Sequence, residues 1–429
     1  MQDYPGYNDF EEQQASKKAR QFEDQLRQKR YLFIDLIQVE EIFEYYWQKN
    51  ELSKARDLIH FAIQTYPTTG DLYFKLARID YELGKFEDSL ENVDIALEQN
   101  PFDREYVLFK SDLQARLEDY EGALYSLQEL MALTDNHEEI YLQMGNIAQI
   151  CGYPIESESF YKMALSLNPY FEEALYELAF LFESEDNLEG AIQIYENFLD
   201  EFPYTEQIWY HLGVLHRKNN NYEKALEAFD YAILINDSLH LAYFNKGQVL
   251  VELGNYPEGL RAFQEANIIR PNDIHTLFFI ADCFENLDQY TDAIKYFHKV
   301  TRIDPYYIDA WMGLGFCLEK KQQYLEAIHY YTKAYCLDEE NPDICLSMAI
   351  CEYKLGNRHQ AFLHFQQATA IEPQEITLWQ DWAEVLYENS NFVGAITFLE
   401  EAIRRNPDFP QLHYQLAAYC FEAGQKYKA

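Results

Sequence analysis

Residues 206–239, EQIWYHLGVLHRKNNNYEKALEAFDYAILINDSL, contain the pattern from which the fold of this 429-residue chain can be predicted. In this stretch, bulky and small side chains occur at spacings that let two short helices pack closely: Trp209, Leu212, Gly213, Tyr222, Ala225, Phe229 and Ala232. The same residue types return in residues 308–341, as Trp311, Leu314, Gly315, Tyr324, Ala327, Tyr331 and Ala334. A unit that recurs at a fixed step indicates a repeat architecture, in which each unit packs on its neighbours.

The spacing of these residues resembles the tetratricopeptide repeat, whose period is 34 residues. The register runs without an insertion, and frames open at Leu36, Gly70, Arg104, Glu138, Glu172, Glu206, His240, Ile274, Ile308, Pro342 and Ile376. The resemblance implies an all-α fold, a right-handed α-solenoid superhelix of about eleven helical hairpins with a C-terminal capping helix. We therefore divide the chain into a tail (1–35), eleven repeats (36–409) and an incomplete twelfth repeat or capping helix (410–429).

Two features inside each frame support helical hairpins. Glycines mark the turn between the two helices in four frames: Gly84, Gly152, Gly254 and Gly356. Alanine recurs at one place of the second helix, where its backbone approaches the first helix: Ala55, Ala123, Ala191, Ala225, Ala293, Ala327, Ala361 and Ala395. In the tail, we expect a disordered acidic start and a helix over residues 11–30 that docks either on the first repeat or in the groove.

Composition favours a folded protein with an acidic surface. The chain is 48% hydrophobic and 16% aromatic, with a formal net charge of −39. Because phosphate binding needs clustered Lys and Arg, this charge argues against nucleic acid and favours a basic protein partner. The alternative, that acidity only keeps a large solenoid soluble, stays open. No signal peptide and no run of about 18 apolar residues is present, so we expect a cytoplasmic protein without membrane insertion.

Motifs of catalysis and of metal or cofactor binding are missing from the sequence. The seven cysteines form no CxxC pair, and the eleven histidines show no paired-ligand spacing. No GxGxxG, GxxxxGK[ST] or GxSxG occurs. We therefore expect packing thiols in a reducing compartment, no metal, no cofactor and no enzymatic activity.

The family resemblance points to candidate partner-binding residues on the first helices, which line the concave face in such proteins. The fifth place of successive frames is largely apolar: Phe74, Leu108, Leu142, Tyr176, Tyr210, Phe244, Phe278 and Met312. The second place is acidic in four consecutive frames: Asp71, Glu105, Glu139 and Glu173. Aromatic residues flanked by acids would select a segment with Lys or Arg between apolar anchors. Two alternatives stay open: the fifth-place side chains only cover the neighbouring helix, and the acids only favour helix N-termini.

These features predict a non-enzymatic scaffold or adaptor that holds a partner segment in its groove, with Phe74, Tyr176, Tyr210, Phe244 and Phe278 as apolar contacts. Co-chaperones of this family grip a C-terminal carboxylate with Lys, Asn and Arg, but no frame here has Lys at its fifth place. That function is therefore rejected. A regulatory or targeting arm of a larger enzyme, truncated here, is the alternative, and self-association is a third possibility.

Overall fold

The computed structural model describes residues 7–27, 34–372, 375–388 and 391–422, and the regular structure in these ranges is α-helical. The chain divides into two compact units, Met1–Glu201 and Phe202–Ala429. Unit 1 contains α1 (Tyr7–Arg27), α2 (Leu36–Gln48), α3 (Leu52–Thr65), α4 (Gly70–Glu82), α5 (Phe86–Gln99), α6 (Arg104–Arg116), α7 (Tyr120–Met131), α8 (His137–Ile150), α9 (Pro154–Leu167), α10 (Glu172–Ser184) and α11 (Leu188–Glu201).

Unit 2 contains thirteen described helices. They are α12 (Glu206–Lys218), α13 (Tyr222–Ile235), α14 (His240–Glu252), α15 (Tyr256–Ile269), α16 (Ile274–Asn286), α17 (Tyr290–Ile303), α18 (Ile308–Lys320), α19 (Tyr324–Tyr335), α20 (Pro342–Lys354), α21 (Arg358–Ile371), α22 (Ile376–Glu388), α23 (Phe392–Arg405) and α24 (Pro410–Glu422). From α2 to α23 the helices pair into hairpins, so the predicted all-α stack of helical hairpins is confirmed.

Small side chains let the two helices of each hairpin pack closely. The alanines Ala225 and Ala232 of α13 are fully buried. Gly213 of α12 lies against the ring of Phe229, and a Cβ atom at this glycine would lie only 2.6 Å from that ring. Gly145, Gly247 and Gly315 meet Tyr161, Phe263 and Tyr331 in the same way. A small residue on the first helix therefore accommodates a buried ring from the second, as the close packing of protein interiors requires.

The turn between the two helices follows one geometry. At the end of α14, the Asn255 N–H donates to the Leu250 carbonyl at 2.8 Å and the Gly254 N–H donates to the Val251 carbonyl at 2.9 Å. This pair of bonds is a Schellman motif, which places the residue after the cap in the left-handed region. Glycine occupies that place at Gly84, Gly152, Gly254 and Gly356, while Asn50, Glu118, Asp186, Asn220, Asp288 and Gln322 adopt the same positive φ.

Helix α1 packs on the first hairpin. Ala19 and Phe22 are buried among the side chains of α2 and α3, and the Phe22 ring meets Phe61 at 5.8 Å between centroids. The Tyr46 hydroxyl of α2 donates to Glu23 at 3.1 Å. Of the two positions expected for this helix, it takes the one on the first repeat. It begins at Tyr7, and the residues before Tyr7 lie outside the described part of the chain.

Helix α24 follows the sixth hairpin of unit 2, which is the eleventh of the chain. Its Leu412 and Cys420 are buried, and Leu412 belongs to the same apolar cluster as Leu399 of α23. The rings of Tyr387 and Tyr419 stack at 4.0 Å between centroids and connect α22 to α24. Residues after Glu422, including Gly424, lie outside the described part of the chain.

Candidate protein-binding face

Three aromatic side chains repeat along the first helices of unit 2, one helical hairpin apart. Tyr210, Phe244 and Phe278 take the fifth place of α12, α14 and α16, and each is half-buried. The Asn245 side-chain amide of α14 donates to the Tyr210 hydroxyl at 3.3 Å. Successive first helices therefore lie side by side, and the three fifth-place side chains form a row, which we call the aromatic row.

The aromatic row contributes both to packing and to the surface. Phe244 meets the rings of Phe263 and Phe279 edge-on, at 5.6 Å and 5.5 Å between centroids. Phe278 lies 5.1 Å from the Tyr307 ring. Because part of each side chain in the row stays accessible, the row offers apolar area that the fold already holds rigid, which lowers the entropy lost on binding. Covering the neighbouring helix and contacting a partner are thus compatible roles.

In unit 1 the fifth-place residues Leu108, Leu142 and Tyr176 are also half-buried, whereas Phe74 is buried. Phe74 is only 4% exposed, because its ring stacks on Tyr106 at 4.4 Å and meets Phe109 at 5.3 Å. As the structure stands, Phe74 packs α4 against α6 and offers no accessible surface to a partner. Tyr176 is half-buried, and its hydroxyl donates to Glu172 at 3.2 Å. Of the two aromatic residues predicted in this unit, Tyr176 is the accessible one.

The four acids predicted at the second place form two groups, two with an ion-pair partner and two without one among the described residues. Asp71 accepts from Lys75 at 2.6 Å, and Glu139 pairs with Arg104. Glu105 and Glu173 are exposed and have no ion pair with a described residue. Glu105 and Glu173 therefore keep carboxylates that are available to a basic partner, whereas Asp71 and Glu139 are already partly neutralised.

A second set of carboxylates lies in unit 2 and was not anticipated from the sequence. Phe278, Asp282 and Glu285 lie at i, i+4 and i+7 of α16, which places them on one face of that helix. Burial, followed by the nearby Asp282 carboxylate, raises the pKa of Glu285 to about 7. Burial also raises the pKa of Asp282. The aromatic row is therefore bordered by acidic groups on its own helix.

The next first helix repeats this arrangement. Glu319 of α18 accepts from the Tyr331 hydroxyl at 3.0 Å and from the Cys351 thiol at 3.8 Å. In the same way, the Cys317 thiol donates to Glu285 at 3.6 Å. The signal in the sequence is the recurrence of Glu at the twelfth place of two successive frames, 34 residues apart. It is easily overlooked in a chain with 73 acidic residues.

The sequence matches models of one family along much of its length. Tetratricopeptide repeat models match residues 206–239, residues 74–137 and 244–308, residues 173–203, and residues 308–341. These segments together span more than half of the chain. A search of curated proteins gives no match. Among the described residues, no helix has the length and apolar character needed to cross a bilayer.

Several solved structures are similar to parts of the chain. YrrB, described as a TPR protein with an unusual peptide-binding site, is 19% identical over 44% of this chain and 96% of its own, with a TM-score of 0.40. A tetratricopeptide repeat protein from Parabacteroides merdae is 15% identical over 57% of this chain and 96% of its own, with a TM-score of 0.41. Yeast Tom70 is 15% identical over 90% of this chain and 96% of its own, with a TM-score of 0.38.

Proposed function

Because the chain belongs to the tetratricopeptide repeat family, whose members are typically non-catalytic interaction scaffolds, we propose that it holds a segment of a partner protein against its first helices. The partner segment carries Lys or Arg between apolar side chains. We also propose a cytoplasmic location, which agrees with the free thiols of the seven cysteines.

The observation that carries this proposal is the aromatic row with its bordering acids in unit 2. Tyr210, Phe244 and Phe278 supply accessible ring surface, and rigid aromatic side chains of this kind dominate binding energy in interfaces. Asp282 and Glu285 lie on the same helix face as Phe278. An apolar side chain of the partner would contact the rings, and a neighbouring Lys or Arg would pair with the carboxylates.

The part-buried position of Glu285 favours a cationic ligand. Burial disfavours the charged carboxylate, as its raised pKa shows. A Lys or Arg of the partner placed beside Glu285 would offset this penalty, since an opposite charge nearby favours the ionised form. In unit 1, Tyr176 offers a similar combination of groups together with Glu105 and Glu173, which have no ion pair with a described residue.

The proposal is tested by selecting peptides that bind the chain and then comparing two variants. The Tyr210→Ala/Phe244→Ala/Phe278→Ala variant removes the aromatic row. The control, Tyr231→Ala/Leu234→Ala, removes exposed apolar side chains from α13, a second helix. We expect selected peptides to combine Lys or Arg with aromatic or aliphatic residues. We also expect their affinity to fall at least about tenfold in the row variant and to stay unchanged in the control.

Circular dichroism and thermal unfolding of the row variant establish that its helices are intact, because Phe244 and Phe278 also contact buried rings. Unchanged affinity in a folded row variant would contradict the proposed site. Selected peptides without basic residues would contradict the proposed character of the partner.

A further inference from the structure

The second helices of different hairpins differ in the sign of their net charge. Helix α5 carries five acidic residues and no basic residue, as expected for a chain with a net charge of −39. Helix α17 instead carries Lys295, Lys299 and Arg302 with Asp292 as its one acid. Within a strongly acidic protein, α17 and the neighbouring α19 therefore hold a local excess of positive charge.

The positive side chains of α17 and α19 form one surface, which we call the basic patch. Its members are Lys295, His298, Lys299, Arg302, His329 and Lys333. All of them are exposed except His298, which is half-buried. The His298 ring lies 5.6 Å from the Tyr330 ring and thereby connects the two helices. The basic patch is thus continuous across two successive repeats.

Aromatic rings hold two of the ammonium groups in place. The Lys333 Nζ atom lies 4.5 Å from the centroid of the Trp311 ring and 5.5 Å from that of Tyr330. The Lys299 Nζ atom lies 4.1 Å from the Tyr296 centroid. Such cation–π contacts orient a Lys side chain without neutralising its charge. Ammonium groups that are already oriented lose less conformational freedom when a ligand binds.

The two helices of the basic patch carry two acids, Asp292 of α17 and Glu326 of α19, against four Lys and Arg residues. Lys295 pairs with Asp292 at 2.8 Å, whereas Lys299, Arg302 and Lys333 have no ion pair with a described residue. Burial lowers the pKa of His298, and the charges of Arg302 and Lys333 lower it further. The effect on His298 shows that these two cations act on the same small region.

We propose that the basic patch binds an acidic segment of a second partner protein, separately from the segment held against the first helices. The patch extends about 10 Å along α17 from Lys295 to Arg302 and about 10 Å across to α19. This area fits three to five residues of an extended acidic segment at about 3.4 Å per residue. An aromatic residue in the segment would contact the exposed parts of Tyr296 and Tyr330.

The charge of the protein outside the basic patch favours a short acidic segment over other anionic ligands. Toward α15, a long polyanion such as a nucleic acid would extend beyond the patch onto the exposed carboxylates of Glu258 and Glu265. A second copy of the chain carries the same net charge of −39, which opposes its approach. A short acidic segment matches the patch alone. With both sites occupied, the chain would connect a basic segment to an acidic one.

The test measures fluorescence anisotropy of a fluorescein-labelled peptide, Glu-Glu-Tyr-Glu-Glu, added to the full chain. The Lys299→Glu/Lys333→Glu variant reverses two charges of the patch. The Lys85→Glu/Lys162→Glu control makes the same change in net charge elsewhere, at two exposed lysines. We expect the patch variant to weaken binding by about tenfold or more and the control to bind like the original chain.

A third variant, Lys299→Gln/Lys333→Gln, removes the charges with little change in side-chain volume, and we expect it to show an intermediate loss. Equal binding by the patch variant and the original chain would overturn the proposal. So would tighter binding of an oligodeoxythymidylate of equal charge, or a self-association of the chain that the patch variant abolishes. The row variant Tyr210→Ala/Phe244→Ala/Phe278→Ala should bind the acidic peptide normally, so this test is independent of the first-helix site.

Discussion

Glu285 shows how the repeat places an ionisable group where water is scarce. Its carboxylate accepts from the Cys317 thiol of the next first helix at 3.6 Å, and Asp282 lies one turn away on the same helix. Thiols are weak donors, so they compensate only partly for the loss of water. Burial therefore raises the pKa of Glu285 from 4.5 to about 7.

This shift predicts how stability depends on pH. Between about pH 4.5 and 7, the folded chain holds a proton on Glu285 that the unfolded chain has released. The contribution of Glu285 to stability is therefore greatest at low pH and falls as the pH rises through this window. Glu285→Gln is neutral at every pH. We expect it to match the original chain at pH 4 and to be about 2 kcal/mol more stable at pH 8, after allowance for partial solvent exposure.

Urea unfolding followed by circular dichroism at pH 4, 6 and 8 measures this difference. Glu258→Gln makes the same change at an exposed carboxylate of α15 and serves as the control. A stability difference between Glu285→Gln and the original chain that does not grow with pH would contradict the assignment.

Single residues also show which properties of the site can be predicted from the sequence and which cannot. The fifth place is apolar in successive frames, but its exposure depends on what the neighbouring helix carries. Phe74 is buried because Tyr106 and Phe109 of α6 cover it. Tyr210 instead accepts a hydrogen bond from Asn245 at its hydroxyl and stays half-buried. A one-dimensional pattern identifies the place in the repeat, whereas the contacts between successive helices decide accessibility.

At the level of the element, each hairpin turn from α2–α3 to α20–α21 has one residue in the left-handed region. Glycine adopts this conformation without strain at Gly254, where an added Cβ atom would meet no other atom within 4 Å. Gln322 adopts a φ of 60° at the same place of its own hairpin. Because this conformation brings Cβ close to the following carbonyl oxygen, a residue other than glycine is strained there.

Exchanging the two residue types should therefore shift stability in opposite directions. We expect Gln322→Gly to stabilise the chain by about 1 kcal/mol and Gly254→Ala to destabilise it by about 1 kcal/mol. Unfolding midpoints in urea measure both effects. Gln322→Ala keeps a Cβ atom and is the matched control for the loss of the Gln side chain. Equal midpoints for Gln322→Gly and Gln322→Ala would show that the backbone of this turn is unstrained.

The helical hairpins could be predicted from the sequence because their signals are local and recur. The alanines of the second helix are buried as the close approach of two helices requires, for example Ala225 and Ala327. The four glycines marked the turns, but Glu118 and Gln322 gave no such signal, since these residue types are common on any surface. Their left-handed conformation follows only from the register of the whole repeat.

At the scale of the molecule, two surfaces differ in the sign of their charge. First helices carry the aromatic row with Asp282 and Glu285 beside it, and we assign a basic, apolar segment to this surface. Second helices carry the basic patch, to which we assign an acidic segment. The net charge is evident from the sequence, but the separation of acidic and basic side chains onto first and second helices is not. The reason is that the composition reports only the sum of the charges, in which a small positive area is outweighed by the excess of acids. Both interactions should weaken as salt screens the exposed charges.

We propose that the partner segment lies on the first helices, and photo-crosslinking locates the bound segment. A selected peptide carrying a diazirine at its central apolar residue is irradiated on the full chain, and the crosslinked residues are identified by mass spectrometry. We predict crosslinks to α12, α14 and α16, near Tyr210, Phe244 and Phe278. Crosslinks confined to second helices such as α13 and α15 would contradict this proposal.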